Sequence, residues 1–270
     1  MIVLAIVGAW GMTGTVQGAA IRPGFDSFSL PKSDEAWGPL TPLGFTLDFF
    51  GVLYSSVYVN TNGNVTFLTP NFVYTPFALT STTGTPIIAP FFADVDTRAA
   101  GSDVVRYGSG AVDGHSAFGV DWVDVGYFFK HADKLNRFQL VLIDRSDRHP
   151  DDADIEFNYD RLLWETGDLS NGVNGLGGLS ARAGYTNGTG SPGTYYEFPG
   201  SGAPGYFLDG SPTGLIHHSL SSPVPGRYVF SIVHGGSSGS GQPVIPAPAA
   251  LVLGGIGMGV IGWLRGRRIL

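Results

Sequence analysis

The sequence contains no cysteine in 270 residues, and charged residues make up only 14% of it. The absence of cysteine excludes disulfide bridges, thiolate metal sites and cysteine nucleophiles. The low charge, beside 43% hydrophobic residues, excludes a disordered chain and a charged helical bundle. All 22 acidic residues lie between Asp26 and Asp209, and no Lys or Arg cluster accompanies them. Nucleic acid is therefore excluded as a partner, because phosphate binding depends on such clusters.

Glycine, proline and aromatic residues are abundant and predict short strands joined by turns. The chain has 41 Gly and 18 Pro, and 13% of it is Phe, Trp or Tyr. Within residues 57–67, two alternating segments flank Asn62 and Gly63. Since both residue types tolerate positive φ, this pattern predicts a β-hairpin with a type I′ turn.

Two further patterns indicate strands. Residues 118–129 and 137–144 are apolar, aromatic and β-branched, and the polar segment 130–136 between them predicts a hairpin connection. Residues 154–160 alternate strictly between polar and apolar. This alternation predicts a half-buried strand. Its acidic residues lie on one face, and its other face carries Ile155, Phe157 and Tyr159.

The middle of the chain offers no window of 12 residues with convincing amphipathic helical periodicity. We therefore predict an all-β fold, an antiparallel β-sandwich-like domain over residues 21–234. An N-terminal signal segment and a C-terminal hydrophobic helix are expected to flank it.

Residues 1–20 have the pattern of a signal peptide. An apolar stretch is followed by small and polar residues that end in Ala20, where we place the cleavage site. No Lys or Arg precedes the apolar stretch, as a signal peptide would normally require. The alternative interpretation is a buried N-terminal strand.

The C-terminal end has three parts. Residues 235–242 are a Gly/Ser linker, and residues 243–270 contain the apolar run Ala249–Leu264. As a helix, these 16 residues would span about 24 Å, against about 30 Å for the hydrocarbon core of a bilayer. The arginines after the run predict a marginal membrane helix with its end in the cytoplasm. A buried helix of the soluble domain is the alternative.

This C-terminal segment resembles a PEP-CTERM sorting signal. Ala247 stands where that family most often has Glu. The resemblance implies an exopolysaccharide-producing Gram-negative bacterium, transient anchoring in the inner membrane, and removal of the tail by an exosortase-type protease. The mature protein would then reach the cell surface or extracellular matrix. The residues that carry the resemblance are Pro246, Ala247, Pro248, Arg265, Arg267 and Arg268.

An ordered series of blocks in the middle of the chain resembles the nidogen-like (NIDO) domain. The match extends over roughly residues 45–233, and Phe92 stands where the family usually has Trp. The family occurs in extracellular proteins and is associated with cell–matrix adhesion, so the resemblance implies an adhesive or structural role, without catalytic residues. The blocks are residues 87–98, 122–128, 133–142, 155–159, 164–167 and 183–185.

Two acidic patterns are candidate Ca²⁺ sites, the only cofactor that the sequence suggests. The first is Asp94 with Asp96, whose carboxylates suit a hard cation; the alternative is an ion pair between these acids and Arg98. The second lies beside Arg145 and Arg148, where a solvated loop without a cation is the alternative. Its four acids are Asp147, Asp151, Asp152 and Asp154. Neither pattern has the spacing of an EF-hand.

Three functions remain open. The first is an exported adhesion or matrix protein that binds extracellular polysaccharide or another matrix protein. The second is a secreted carbohydrate-active enzyme with paired carboxylates from residues such as Asp94, Asp124 or Glu156, which must lie about 5 to 9.5 Å apart. The third is a structural module stabilised by Ca²⁺. A cleft with converging acids would favour the enzyme, and a shallow aromatic face would favour adhesion.

Overall fold

The computed structural model describes residues 19–233, and within this range it contains antiparallel strands and two short 3₁₀ helices but no α-helix. The 3₁₀ helices are Asp168–Ser170 and Leu215–His217. The strands are β1 Phe28–Ser29, β2 Thr41–Asp48, β3 Leu53–Asn60, β4 Asn64–Thr66, β5 Ile87–Phe92, β6 Val95–Asp96, β7 Arg106–Val112, β8 His115–Tyr127, β9 His131–Asp144, β10 Ala153–Arg161, β11 Arg182–Thr186, β12 Tyr195–Glu197 and β13 Arg227–Ile232.

The strands form two sheets. The first has the order β1-β7-β8-β9-β10-β13, with the short β6 also paired to β8. The second has the order β12-β11-β5-β4-β3-β2. Contacts of β2 with β8 and of β5 with β9 join the two sheets, and one large apolar cluster contains residues of both. The predicted all-β fold is confirmed, and its layers are consistent with a β-sandwich.

Aromatic side chains fill the space between the sheets, and their polar tips find partners there. The hydroxyl of Tyr159 in β10 donates a hydrogen bond to the carbonyl oxygen of Pro90 in β5, at 2.7 Å. The indole nitrogen of Trp122 in β8 donates to the carbonyl oxygen of Thr61, at 2.9 Å. These bonds tie one sheet to the other and avoid the free-energy cost of a buried donor without an acceptor.

The hairpin at Asn62 and Gly63 is confirmed, but its predicted turn type is wrong. Asn60 pairs with Asn64, so the loop has three residues instead of two. Gly63 has a φ of 69°, whereas Asn62 is not among the residues with positive φ. A side chain at position 63 would be impossible for a second reason, since a Cβ there would lie 1.8 Å from the carbonyl oxygen of Phe91.

The second hairpin is confirmed as well, with a shorter connection than predicted. Tyr127 pairs with His131, so only residues 128–130 connect β8 to β9, and the polar residues after them continue the strand. Asn136 is one of these polar residues, and a hydrogen bond accommodates its side chain in β9. Its side-chain amide donates to the carbonyl oxygen of Trp164 at 2.9 Å, although the residue is fully buried.

The strand predicted at residues 154–160 is confirmed as β10, but the expectation that it is half-buried is wrong. Asp154, Glu156 and Asn158 on its second face are 5%, 1% and 0% exposed. The segment after Ala20 covers this face, where Arg22 donates from Nε to Oε1 of Glu156 at 2.6 Å. Alternation predicted the strand, and the covering segment comes from a distant part of the sequence.

Several predictions lie outside the described residues. These are the linker 235–242, the sorting segment 243–270 with its apolar run, and the signal segment 1–20 except for its last two residues. No helix within residues 19–233 is long and apolar enough to span a membrane.

Candidate functional site

Three acidic residues from distant parts of the sequence converge beside the short strand β6. Asp34 and Glu35 lie between β1 and β2, and Asp94 lies between β5 and β6. One carboxylate oxygen of each residue lies within 4.8 Å of the others. Asp94 is 1% exposed, whereas the other two are half-buried. We call these residues the three-acid cluster.

Backbone hydrogen bonds hold the segment that carries two of these acids at both of its ends. At one end, the amide of Ser33 donates to Oγ1 of Thr97 at 2.8 Å, and the amide of Thr97 donates to the carbonyl oxygen of Ser33 at 2.9 Å. At the other end, the amide and the hydroxyl of Thr61 both donate to the carbonyl oxygen of Ala36. Asp34 and Glu35 therefore have a fixed position relative to β6.

Asp94 is enclosed by its neighbours but receives no hydrogen bond on its carboxylate. Its backbone oxygen accepts a hydrogen bond from the amide of Phe128 at 3.1 Å. A Cβ at Gly167 would lie 2.5 Å from Oδ2 of Asp94, so only glycine fits there. Within residues 19–233, no group donates to either carboxylate oxygen of Asp94 or to the buried Oδ1 of Asp34. Three buried oxygens thus lack hydrogen-bond donors.

The electrostatic environment disfavours ionisation of these carboxyl groups. Burial raises the pKa of Asp94 to about 8, and the charges of Asp34, Glu35 and Asp96 add to this effect. Burial also raises the pKa of Asp34 to about 6, with a further contribution from Asp96. Arg98 is the cation that opposes both shifts. One arginine does not balance this much negative charge.

Asp96, predicted as a Ca²⁺ ligand together with Asp94, has a different environment. Its Oδ1 accepts hydrogen bonds from the backbone amide and Nε of Arg98, both at 2.9 Å. Its Oδ2 accepts from Nη2 of Arg98 at 2.6 Å and from the amide of Lys130 at 2.9 Å. Burial opposes ionisation, but these donors outweigh it and hold the pKa of Asp96 below its usual value. The ion pair with Arg98, given above as the alternative, is present.

The second predicted Ca²⁺ site is rich in arginine contacts. Asp154 accepts hydrogen bonds from Arg145 at 2.7 Å, from Arg148 at 2.8 Å and from the hydroxyl of Ser231 at 2.7 Å. Arg145 also donates to the exposed Asp147 at 3.0 Å. In the described range, no three of the four predicted ligands offer oxygens within 4.8 Å of one another. These four are Asp147, Asp151, Asp152 and Asp154.

The acids considered for the enzyme alternative are also bound by arginine, apart from Asp94. Both oxygens of Glu156 accept hydrogen bonds from Arg22, at 2.6 and 2.9 Å. Asp124 contacts Nη2 of Arg161. A groove of about 470 Å³ lies along β10, and Glu156 and Asp154 line it together with Arg22, Arg145 and Arg227. The arrangement favours ion pairing over acid–base chemistry.

Exposed aromatic rings lie next to the three-acid cluster along the chain. Trp37 follows it by two residues, is 48% exposed, and has its ring centroid 6.2 Å from that of Phe72, which is 61% exposed. Phe129, 63% exposed, follows the residue whose amide binds the backbone of Asp94. Such rings combine apolar area with geometric specificity and suit a recognition surface.

Sequence reasoning found Asp94 but missed Asp34 and Glu35. These two acids are about 60 residues from Asp94, and no spacing rule connects them to it. The signal in the sequence is slight, an adjacent acidic pair just before Trp37 in an otherwise weakly charged region.

The sequence of this chain is similar to a known family and to known proteins. The profile of the nidogen-like domain matches residues 55–112 and 102–234. Alpha-tectorin of Mus musculus is 30% identical over 224 residues, which cover 75% of this chain and 10% of that protein. Alpha-tectorin of Homo sapiens is 29% identical over the same length, and nidogen of Drosophila melanogaster is 28% identical over 229 residues.

These relatives are much longer, since the match covers 10% of the two alpha-tectorins and 15% of the nidogen. No solved structure matches the chain. The family profile, by contrast, extends over most of the two-sheet domain. The chain therefore belongs to the nidogen-like domain family.

Proposed function

We propose that this chain is an exported adhesion protein of the cell surface or extracellular matrix, which binds extracellular polysaccharide or a matrix protein. The observation that carries the proposal is the nidogen-like domain over residues 55–234, whose relatives are extracellular matrix proteins. Those relatives are structural proteins and not enzymes, which supports a binding role over a catalytic one.

The binding face that we propose centres on Trp37 and Phe72. Both rings are about half exposed or more and contact each other, so little conformational entropy is lost when they bind a ligand. Flat rings of this kind suit the apolar faces of sugar rings as well as apolar protein side chains. The exposed rings, together with the resemblance of the C-terminal segment to a sorting signal, support the proposal that the ligand is exopolysaccharide and that the protein belongs to a biofilm matrix.

The route to the surface that we propose uses both ends of the chain. Residues 1–20 would direct export, and residues 243–270 would hold the protein in the inner membrane until an exosortase-type protease removes them. The backbone amide of Ala20 donates to Oδ1 of Asp160 at 2.6 Å, and its carbonyl oxygen accepts from Arg227. These contacts make Ala20 part of the folded domain, so we propose that the signal is cleaved before Ala20 and not after it, as the sequence pattern suggested.

Glycan-array binding of the full chain tests the adhesion proposal. We expect binding to acidic or neutral polysaccharides without their hydrolysis, and loss of most binding in Trp37→Ala and Phe72→Ala. Phe28→Ala is the matched control, because Phe28 is 59% exposed but stacks on Tyr107 at the edge of the first sheet. Unchanged binding in both variants would refute the proposed face, and hydrolysis of a bound glycan would favour the enzyme.

Cell fractionation tests the route. Cells that express the chain with and without residues 243–270 should differ, with the complete chain in the surface or matrix fraction and the truncated one elsewhere. The same distribution for both forms would contradict the localisation. N-terminal sequencing of the exported form identifies the cleavage site directly.

A further inference from the structure

We propose that Asp34, Glu35 and Asp94 bind a Ca²⁺ ion, with Asp34 and Glu35 as ligands in place of the Asp96 suggested by sequence. The observation that points to a ligand is the carboxylate of Asp94. It is 1% exposed and faces the other two acids, and neither of its oxygens receives a hydrogen bond from residues 19–233. This inference stands independently of the proposed function.

The geometry of the cluster suits Ca²⁺. Ca²⁺ binds oxygen ligands at about 2.3 to 2.6 Å, so two ligands on opposite sides of the ion lie about 5 Å apart. The mutual distances within 4.8 Å in the three-acid cluster are compatible with one coordination shell. All three side chains offer only carboxylate oxygens, the donors that a hard cation prefers over zinc or copper. The partial exposure of Asp34 and Glu35 leaves the remaining positions of the shell to water.

When all three acids are ionised, the protein itself does not supply enough positive charge around the cluster to balance them. Arg98 has its guanidinium bound to Asp96 through Nε and Nη2, and Nη2 also contacts Oδ2 of Asp34 at 3.0 Å. Oδ1 of Asp34 and both oxygens of Asp94 are left without a donor. A buried carboxylate without a partner is costly. A divalent ion would offset this cost at the point where the three acids meet.

Other buried acids of this protein show that the cluster is exceptional. Glu165 is 1% exposed, yet its carboxylate accepts hydrogen bonds from Ser180 and from the amides of Gly205 and Phe207. Glu156 is equally buried and is bound by Arg22. Among the described acidic residues, only Asp34 and Asp94 have buried carboxylate oxygens without a hydrogen-bond partner.

The cluster is also held in place before any ion binds. The segment that carries Asp34 and Glu35 is fixed by hydrogen bonds to Thr61 and Thr97, and Asp94 is held against Gly167. Preorganised ligands of this kind lose little entropy on binding. We therefore expect a dissociation constant of about 10⁻⁴ to 10⁻³ M, in the range of extracellular Ca²⁺ modules.

The test is a titration of the full chain with CaCl₂ and, separately, with MgCl₂, followed by calorimetric binding and by the melting temperature Tm. We expect about 5 mM Ca²⁺ to raise Tm by several degrees after treatment with EDTA, and Mg²⁺ to have a much smaller effect. Asp94→Asn should abolish both the binding heat and the shift in Tm. Asp154→Asn is the matched control, a buried acid that arginines neutralise, and it should keep the full Ca²⁺ response.

Glu35→Gln provides a second variant at a half-buried ligand, where the change disturbs the packing of the domain less than a change at the buried Asp94. It should weaken Ca²⁺ binding at least tenfold while the far-UV circular dichroism spectrum stays that of a β protein. No binding heat in the wild type, or an equal response in wild type and Glu35→Gln, would overturn the proposal. An equal response to Mg²⁺ would overturn the assignment to Ca²⁺.

Discussion

The two acidic regions of this domain differ both in how closely their acids follow one another in the sequence and in how many arginines surround them in the structure. Residues 147–154 crowd four acids into a short segment, but Arg145 and Arg148 lie beside them and bind the buried Asp154. The three-acid cluster is not visible as a run, since Asp94 is about 60 residues from the adjacent pair Asp34 and Glu35, and its one arginine is already bound to Asp96. Acid density along a chain thus says little about charge balance in space. The number of arginines within reach decides it.

The largest effect should come from removing the single arginine beside the three-acid cluster. Arg98→Met leaves the fully buried Asp96 without its ion pair, and we expect a loss of about 4 kcal/mol in the free energy of unfolding in EDTA, as for other broken buried pairs. Urea denaturation measures it. Arg145→Met is the comparison and should cost much less, because Asp154 keeps its bond to Arg148. Equal losses would remove the contrast between the regions.

The second prediction is that the same Asp→Asn change alters the free energy of unfolding in opposite directions in the two regions. In EDTA at neutral pH, Asp94→Asn should raise the free energy of unfolding by about 3 kcal/mol, since it removes a buried acid without a partner. Asp154→Asn should lower it by about 2 kcal/mol, because it removes the buried carboxylate that accepts hydrogen bonds from both arginines. Urea denaturation of both variants checks this. Changes of the same sign would mean that the two regions do not differ in charge balance.

The strands were predictable because their signals are local. Alternation at residues 154–160 and the turn residues Asn62 and Gly63 place β10 and the β3–β4 hairpin correctly. The type of turn was not predictable, because tertiary contacts determine it. Asn62 donates to the carbonyl oxygen of Val73 and accepts from the amide of Val95, and these bonds hold it in a three-residue loop.

The candidate site was predictable only in part for the same reason. Asp94 and Arg98 stand in one block of the sequence, so an ion pair or a metal was a natural expectation there. The positions of Asp34 and Glu35 opposite Asp94 depend on the bonds between Ser33 and Thr97. No pattern in a single sequence reports contacts across that separation.

Asp121, which lies in neither acidic region, is a buried acid whose charge is only partly compensated, and it allows a test by pH. Burial raises the pKa of Asp121 to about 6, and a hydrogen bond from Gln139 offsets this only in part. The pKa of Asp121 is higher in the folded protein than in the unfolded chain, so ionisation of this residue destabilises the folded protein. This loss of stability is absent below about pH 4, grows as the pH rises, and is complete above about pH 6. Asp121→Asn should therefore stabilise the protein by about 2 kcal/mol near pH 7.5 and not near pH 4. Chemical denaturation at both pH values checks it.

The smallest effect should come from Asp147, one of the four acids predicted as ligands in the arginine-rich segment. Its carboxylate is exposed and bound by Arg145, an arrangement that salt screens and solvent weakens. We expect Asp147→Asn to leave both Tm and the Ca²⁺ response unchanged. A loss of the Ca²⁺ response in this variant would place the ion in the arginine-rich segment. Arginine contacts would then not exclude a cation, and the contrast between acids neutralised by arginine and acids without such a partner would fail.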